Sequence, residues 1–153
     1  MPQKAVVDAV EARLLARWSS PEAVAERQAA GLPECPVLGI NITGETPPDG
    51  DTYLQVQYPV ANVSQMDLAG TIYREEGAVR LILNVQRGAD FGPGLTMAGG
   101  LATLFRGRKF DGVQTFSPSS PVIDDRNEEG MYFSLSISIP YQFDFVDQGG
   151  FYA

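Results

Sequence analysis

The chain has 153 residues, 44% of them hydrophobic, which is enough for one well-buried core and too little for two, so a single domain spanning 1–153 is expected. Its formal charge of −8 and lack of any long Lys/Arg run exclude a surface that holds phosphates by concentrated basic charge, so no specific nucleic-acid binding is expected. There is no histidine, which removes Ser-His-Asp and Cys-His triads and the paired-histidine zinc site, and the single Cys35 has no partner for a disulfide or metal site.

The N-terminal segment is charged and amphipathic, unlike a secretory leader. Val7, Val10, Leu14 and Trp18 recur at three and four over Lys4 to Trp18, with Val6 and Leu15 widening the stripe, and this spacing predicts a helix. Ser20, Pro21 and Glu22 supply a cap, a proline at the first helical position and an acid in the first turn. A second, short helix is therefore expected over Pro21 to Ala30, peripheral because its apolar content is mostly alanine. Cys35 is read as a small semi-buried apolar residue. No apolar run reaches 18 residues, so no membrane span is expected, and without a secretory route the sequons at Asn41 and Asn62 are coincidences.

Leu38, Ile40 and Ile42 alternate as a short strand, and Tyr53 to Tyr58 is a second one, expected to end at Pro59. Met66 to Tyr73 is a weaker strand candidate, with Arg74-Glu-Glu-Gly77 as the hairpin connection into a strand over Ala78 to Gln86 that buries Val79, Leu81, Leu83 and Val85. Beyond a glycine-rich break, Leu95, Ala98, Leu101, Ala102 and Phe105 share one side of a helix. Gly99 and Gly100 within it predict close packing on the sheet or on a neighbouring subunit, since each costs about 1 kcal/mol against alanine. An Arg106-Gly-Arg108-Lys109 turn precedes a short strand at Val113 to Phe116.

Gly94-Leu-Thr-Met-Ala-Gly99 has P-loop glycine spacing, but Gly100 and Leu101 stand where lysine and a hydroxyl residue must be. The acidic run from Asp125 begins like a calcium loop and fails at Ser136, where a bidentate glutamate is required. Neither a metal nor a cofactor is expected. Asp124, Asp125, Glu128 and Glu129 could be proposed as catalytic acids, yet a polar loop tip offers no desolvating pocket to separate their pKa values.

The last feature in the chain is also the longest. From Tyr132 to Phe145 every odd position is aromatic or aliphatic, while the even ones are mostly serine, glutamine or aspartate, a period of two that predicts one overlong strand with a buried face. Pro140 is expected to mark a failure or an edge of pairing, after which Tyr141, Phe143 and Phe145 leave the domain to meet a neighbour. Residues 146–153, with Phe151 and Tyr152 after a Gly-Gly hinge, are read as an extended docking tail. The order of elements predicts an α+β fold with a mostly antiparallel or mixed sheet and helices packed on one face.

Taken in order, these features resemble the tail terminator (tail completion, minor tail protein U-like) proteins of long-tailed bacteriophages over residues 4 to 143. The resemblance rests on the N-terminal helix, Tyr53-Leu-Gln-Val56, the strand Gly77 to Val85, the helix ending Leu104-Phe105-Arg106-Gly107, and the last strand with its Ser138-Ile-Pro-Tyr141. It implies a non-enzymatic structural protein at the head-proximal end of the virion tail, present in the host cytoplasm during assembly. It also implies a homo-hexameric ring that caps the tail tube protein, stops its polymerisation and joins a head–tail connector protein, with DNA passing through. Candidate assembly residues are Tyr141, Phe143, Phe145, Phe151 and Tyr152, the acidic Asp124, Asp125, Glu128 and Glu129, and the basic Arg106, Arg108 and Lys109. A small-molecule-binding sheet with an enclosed apolar cavity and a carboxylate enzyme with a buried acid pair remain as alternatives from other classes.

Overall fold

The structure, a computed structural model, describes residues 3–33, 35–38, 52–86, 91–124 and 132–146. The elements in chain order are helix α1 (Lys4–Arg17), helix α2 (Pro21–Ala29), strands β1 (Val37–Leu38), β2 (Tyr53–Gln65) and β3 (Ile72–Gln86), helix α3 (Phe91–Phe105), and strands β4 (Lys109–Phe110), β5 (Val113–Thr115), β6 (Val122–Asp124) and β7 (Tyr132–Val146). The strands form one seven-stranded sheet in the order β1-β2-β3-β7-β5-β4, with β6 also paired to β7. All pairings are antiparallel except β1 with β2, so the fold is α+β, as its element order predicts.

The alternation from Tyr132 onward produces β7, a central strand of 15 residues that pairs with β3 along its whole length. Val79, Leu81 and Leu83 of β3 and Leu135, Ile137 and Ile139 of β7 form the sheet's contribution to the core, each at most 2% exposed. Burying one such side chain stabilises the fold by about 1.5–3 kcal/mol. The helical contribution comes from Val6, Ala9, Val10, Leu14 and Trp18, with Met97, Leu101 and Phe105 of α3. On α1 the buried stripe therefore includes Val6, while Val7 is half-buried and Leu15 is exposed. Two polar anchors fix that rotation: the Gln3 N–H donates to the Glu75 carboxylate, and Arg13 Nε donates to the Leu104 carbonyl. Helix α2 buries no residue, and Ser20 caps it by accepting from the Ala23 N–H.

Several boundaries differ from expectation. Pro59 does not end β2; the strand takes an irregularity between Gln57 and Val60 and continues to Gln65. Consequently Arg74 to Gly77 is mid-strand, and the hairpin turn lies at Met66 to Thr71. There Asp67 accepts from the backbone N–H groups of Thr71 and Ile72 and from the Thr71 hydroxyl, and Gly70 adopts a φ of 73°. Pairing does not fail at Pro140 either. Its carbonyl accepts from the Phe116 N–H, so the side of β7 lacking a donor faces away from β3, and the β3 ladder passes through Ala78 opposite Pro140 intact. The Asp111-Gly112 pair, both at positive φ, forms the two-residue turn that joins β4 and β5.

On α3, Met97 is buried and Leu95 is 44% exposed. Gly99 and Gly100 do not pack closely on the sheet: a Cβ at Gly99 would meet nothing within 4 Å, and one at Gly100 only the Trp18 ring at 3.9 Å. The close approach on this helix is at Gly94, whose Cβ would come within 3.0 Å of Leu135 and 3.1 Å of Val85.

Irregularities in the three central strands lie side by side. The break at Gln57–Val60, Gly77 and Pro140 occupy neighbouring register positions, and a Cβ on Gly77 would stand 2.2 Å from the Val60 carbonyl oxygen and 2.9 Å from the Tyr141 hydroxyl. Gly77→Ala is expected to cost roughly 2–3 kcal/mol, because the obstacle is backbone. Gly99→Ala in open space should stabilise by about 0.5–1 kcal/mol. Urea midpoints of the two variants measured side by side check both signs.

Candidate assembly surface

Past that line β2 from Val60, β3 up to Glu76 and β7 from Tyr141 continue together as an arm, flanked by β5 as far as Phe143 and three-stranded beyond it. On the face that continues the core, side chains fall in rows. Ala61, Gly77, Tyr141 and Thr115 share the first, Val63, Glu75, Phe143 and Val113 the second, and Gln65, Tyr73 and Phe145 the third. Tyr73 stacks on Phe145 with ring centroids 5.7 Å apart, and Phe143 on Phe145 at 6.1 Å, all three rings half-buried. The opposite face is mixed: it carries the two-pronged ion pair from Arg74 to Asp144 at 2.7 and 3.0 Å, with Ile72 and Val146 in the next row and Val60 further back. With side chains 31% and 47% exposed, that pair is screened by solvent and adds little to stability.

The arm is attached through a carboxylate. Glu75 is fully buried; it accepts the Tyr141 hydroxyl at 2.7 Å and the Gln3 N–H at 3.0 Å, so one side chain ties the start of α1 to two strands. No acid in the first turn and no side-chain cap serves α1 itself, and Glu75 supplies the negative group that a helix N-terminus favours. Burial, followed by the bond to Glu75, pushes the Tyr141 phenol well above its ordinary value. Among the described residues no second carboxylate is buried beside Glu75, which is not the paired-acid site of a carboxylate enzyme.

Exposed apolar side chains concentrate on the arm: Val60, Val63, Met66, Ile72 and Val146 are each 44–58% exposed, and Leu68 at the hairpin tip is 105% exposed. The outer edge of β2 from Gln57 to Gln65 has no charged residue, although charge is the usual protection of an open edge. Patches of this kind mark contact with other proteins.

The expected assembly residues separate into groups. Phe143 and Phe145 are brought together on the arm, within its ladder and not leaving the domain as expected. Tyr141 is a core residue at 2% exposure, which corrects its assignment to a free surface. Arg106, Arg108 and Lys109 are exposed at the turn after α3, where Gly107 has a φ of 57°. Burial lowers the Arg13 pKa, helped by the nearby Arg17 and then Arg108, and Lys109 lies near Asp144. Asp124 ends β6 opposite Ser134, near the other end of β7 from Phe143. Asp125, Glu128, Glu129, Phe151 and Tyr152 lie outside the described residues. Leu68, Ile72 and Tyr73 escaped sequence reasoning because the hairpin was placed too late in the chain; Asp67-Leu-Ala-Gly70 was the signal that could have found them. Two surface clefts, of about 290 and 270 Å³, lie beside α1. Cys35 is 2% exposed, and its thiol is pushed up to about 12 by burial.

A sheet extended into an arm of exposed apolar side chains is the build of a protein made to contact other proteins. The family comparison states which kind: the profile of the phage tail terminator protein matches residues 5–141, and the chain belongs to that family. It is thus a structural component of the phage tail, located in the virion tail in contact with other tail or head proteins. Among solved structures seven chains match; one of them covers 96% of this chain and 96% of its own at 23% identity with a TM-score of 0.50, a likeness of fold. No curated protein sequence matches.

Tyr141→Phe should cost about 1–3 kcal/mol by leaving one Glu75 oxygen unbonded, and Glu75→Gln should cost less, because an amide oxygen still accepts one bond. Denaturant titration of both orders them. Two surface carboxylates should respond to pH in one direction. Asp67, held by the Ile72 N–H and the Thr71 hydroxyl, and Asp144, held by Arg74, both titrate below the ordinary 3.8. Their contribution is complete above that value and is lost as pH falls through their lower folded pKa values. Carboxyl chemical shifts followed by NMR should show both midpoints below those of an unfolded peptide.

Proposed function

We propose that this chain is the tail terminator itself: copies close into a homo-hexameric ring on the last layer of tail tube protein, stop its polymerisation, and present their other face to the head–tail connector protein. The family match over residues 5–141 carries this reading. The arm supports it, because an end-capping protein needs a projecting surface that stays uncovered until the tube is met, and the exposed Leu68 with the uncharged β2 edge is such a surface. The protein's charge of −8 favours passage of DNA without adhesion. The ring sits at the head-proximal end of the tail and assembles in the host cytoplasm. The protein needs no catalytic activity for this role; binding and closure do the work.

The test mixes purified protein with polymerising tube protein and measures tube lengths by negative-stain microscopy. Capped tubes of limited length with a ring at one end are expected, and tubes whose length ignores the protein would overturn the reading. Leu68→Asp, at the exposed tip, should change the unfolding free energy by no more than about 0.5 kcal/mol while abolishing the length control.

A further inference from the structure

Helix α3 contains no charged residue in its 15 positions, although Leu95, Thr96, Gly99, Gly100 and Thr103 are exposed on it. The Thr96 and Thr103 hydroxyls turn back to the Gly92 and Gly99 carbonyls, each at 3.0 Å, so this face offers water few free polar groups. A helix that is apolar all round belongs under a cover. It also forms one wall of the cleft of about 290 Å³, which Trp18, Met97 and Leu104 line with apolar surface. Arg17, Glu26 and Arg27 stand at the same cleft, the Arg27 guanidinium 4.0 Å over the Trp18 ring.

We infer that this cleft receives the aromatic pair Phe151-Tyr152 of a second copy of the chain. The residues after β7 read Asp147-Gln-Gly-Gly-Phe151-Tyr152, one acid, no base and two adjacent aromatics behind a glycine pair. That composition complements an apolar cleft with two arginines and one acid at its rim. The chain's own segment falls short of the Trp18 end of the cleft, where Gly100 also lies. Helix α1 runs along the strands, since its start is bonded to Glu75, in register with Phe143, and Trp18 Nε1 donates to the carbonyl of Cys35, two residues before β1. β1 lies level with Leu54, Leu83 and Leu135. Trp18 therefore stands about eleven strand residues from Val146, or roughly 36 Å at 3.3 Å per residue. Phe151 is five residues beyond Val146 and reaches at most about 18 Å when fully extended. The contact joins two different patches, the segment of one copy and the cleft of the next, which is the heterologous geometry that closes a ring. It rests on the ring reading and gives that reading one of its subunit contacts.

The test uses full-length chains carrying single substitutions, Ala153→Cys in one, next to the aromatic pair, and Gly100→Cys in the other. Gly100 tolerates a side chain, with only an ordinary contact to Trp18, and the buried Cys35 thiol stays silent. With a short bis-maleimide, the mixed chains should link into covalent dimers at least tenfold more than either chain alone, with or without tube protein present. The double variant should link between copies and not within one. Rings that assemble without this link, or a link formed within one copy at high dilution, overturn the inference and leave the ring reading standing. Chains that stay monomeric even on tubes overturn both. As a second readout, Phe151→Ala with Tyr152→Ala should raise the concentration needed for self-association at least tenfold while the thermal unfolding of the isolated chain is unchanged; equal loss of both would make the segment part of the monomer's core and refute the contact.

Discussion

The structure depends on one buried carboxylate. Glu75 lies under Gln3, the residue just before α1, where a helix leaves its N–H groups unpaired, and beside a tyrosine hydroxyl from the neighbouring strand. A carboxylate taken out of water costs several kcal/mol unless its oxygens are bonded, so the site holds only while α1, β3 and β7 are in register together. Gly77 is required for the same reason: any side chain there would push away the Val60 carbonyl on one strand and the Tyr141 hydroxyl on the other. The register of the sheet and the docking of the helix are thus fixed at one point, and the arm begins there.

That point also separates two kinds of surface. On one side, the alternating aliphatics of β3 and β7 are roofed by α1 and α3. On the other, the same alternation continues from the start of α1 as Tyr73, Phe143 and Phe145, and the rings shield one another by stacking. A fold that needed only stability would stop the strands where the roof stops. Extending three of them together gives a stiff projection with apolar sides, which suits a protein whose family works at the end of a polymer.

What could be read in the sequence follows from where the physics is local. The period of two in β7 and the cap of α2 are written in consecutive residues and appear as expected. The errors arose where a residue's usual meaning was overruled by a partner distant in sequence. Pro59 reads as a stop, but the irregularity it sits in is accommodated by Gly77 across the strand; Pro140 reads as a break, but its missing donor faces the side where a carbonyl is what Phe116 requires. Glu75 reads as a turn residue because its helix partner is 72 positions away. The assembly residues were legible in kind, as aromatics at the chain's end, and only partly in place, since Tyr141 looks identical to Phe143 in pattern and differs only in what lies behind it.

The position of β7 has a consequence for synthesis. It is the central strand of the sheet and the last of the described strands to leave the ribosome, and β3, made some sixty residues earlier, has no partner on that side until it arrives. During that interval the β2–β3 hairpin carries its apolar face and an unpaired edge, the condition in which nascent sheets associate wrongly. The core cannot close by local steps, because its largest ladder joins segments far apart in the chain, so folding waits on the final strand and is slow for a protein of this size. A chain cut short anywhere in β7 would lose the middle of its sheet along with its end.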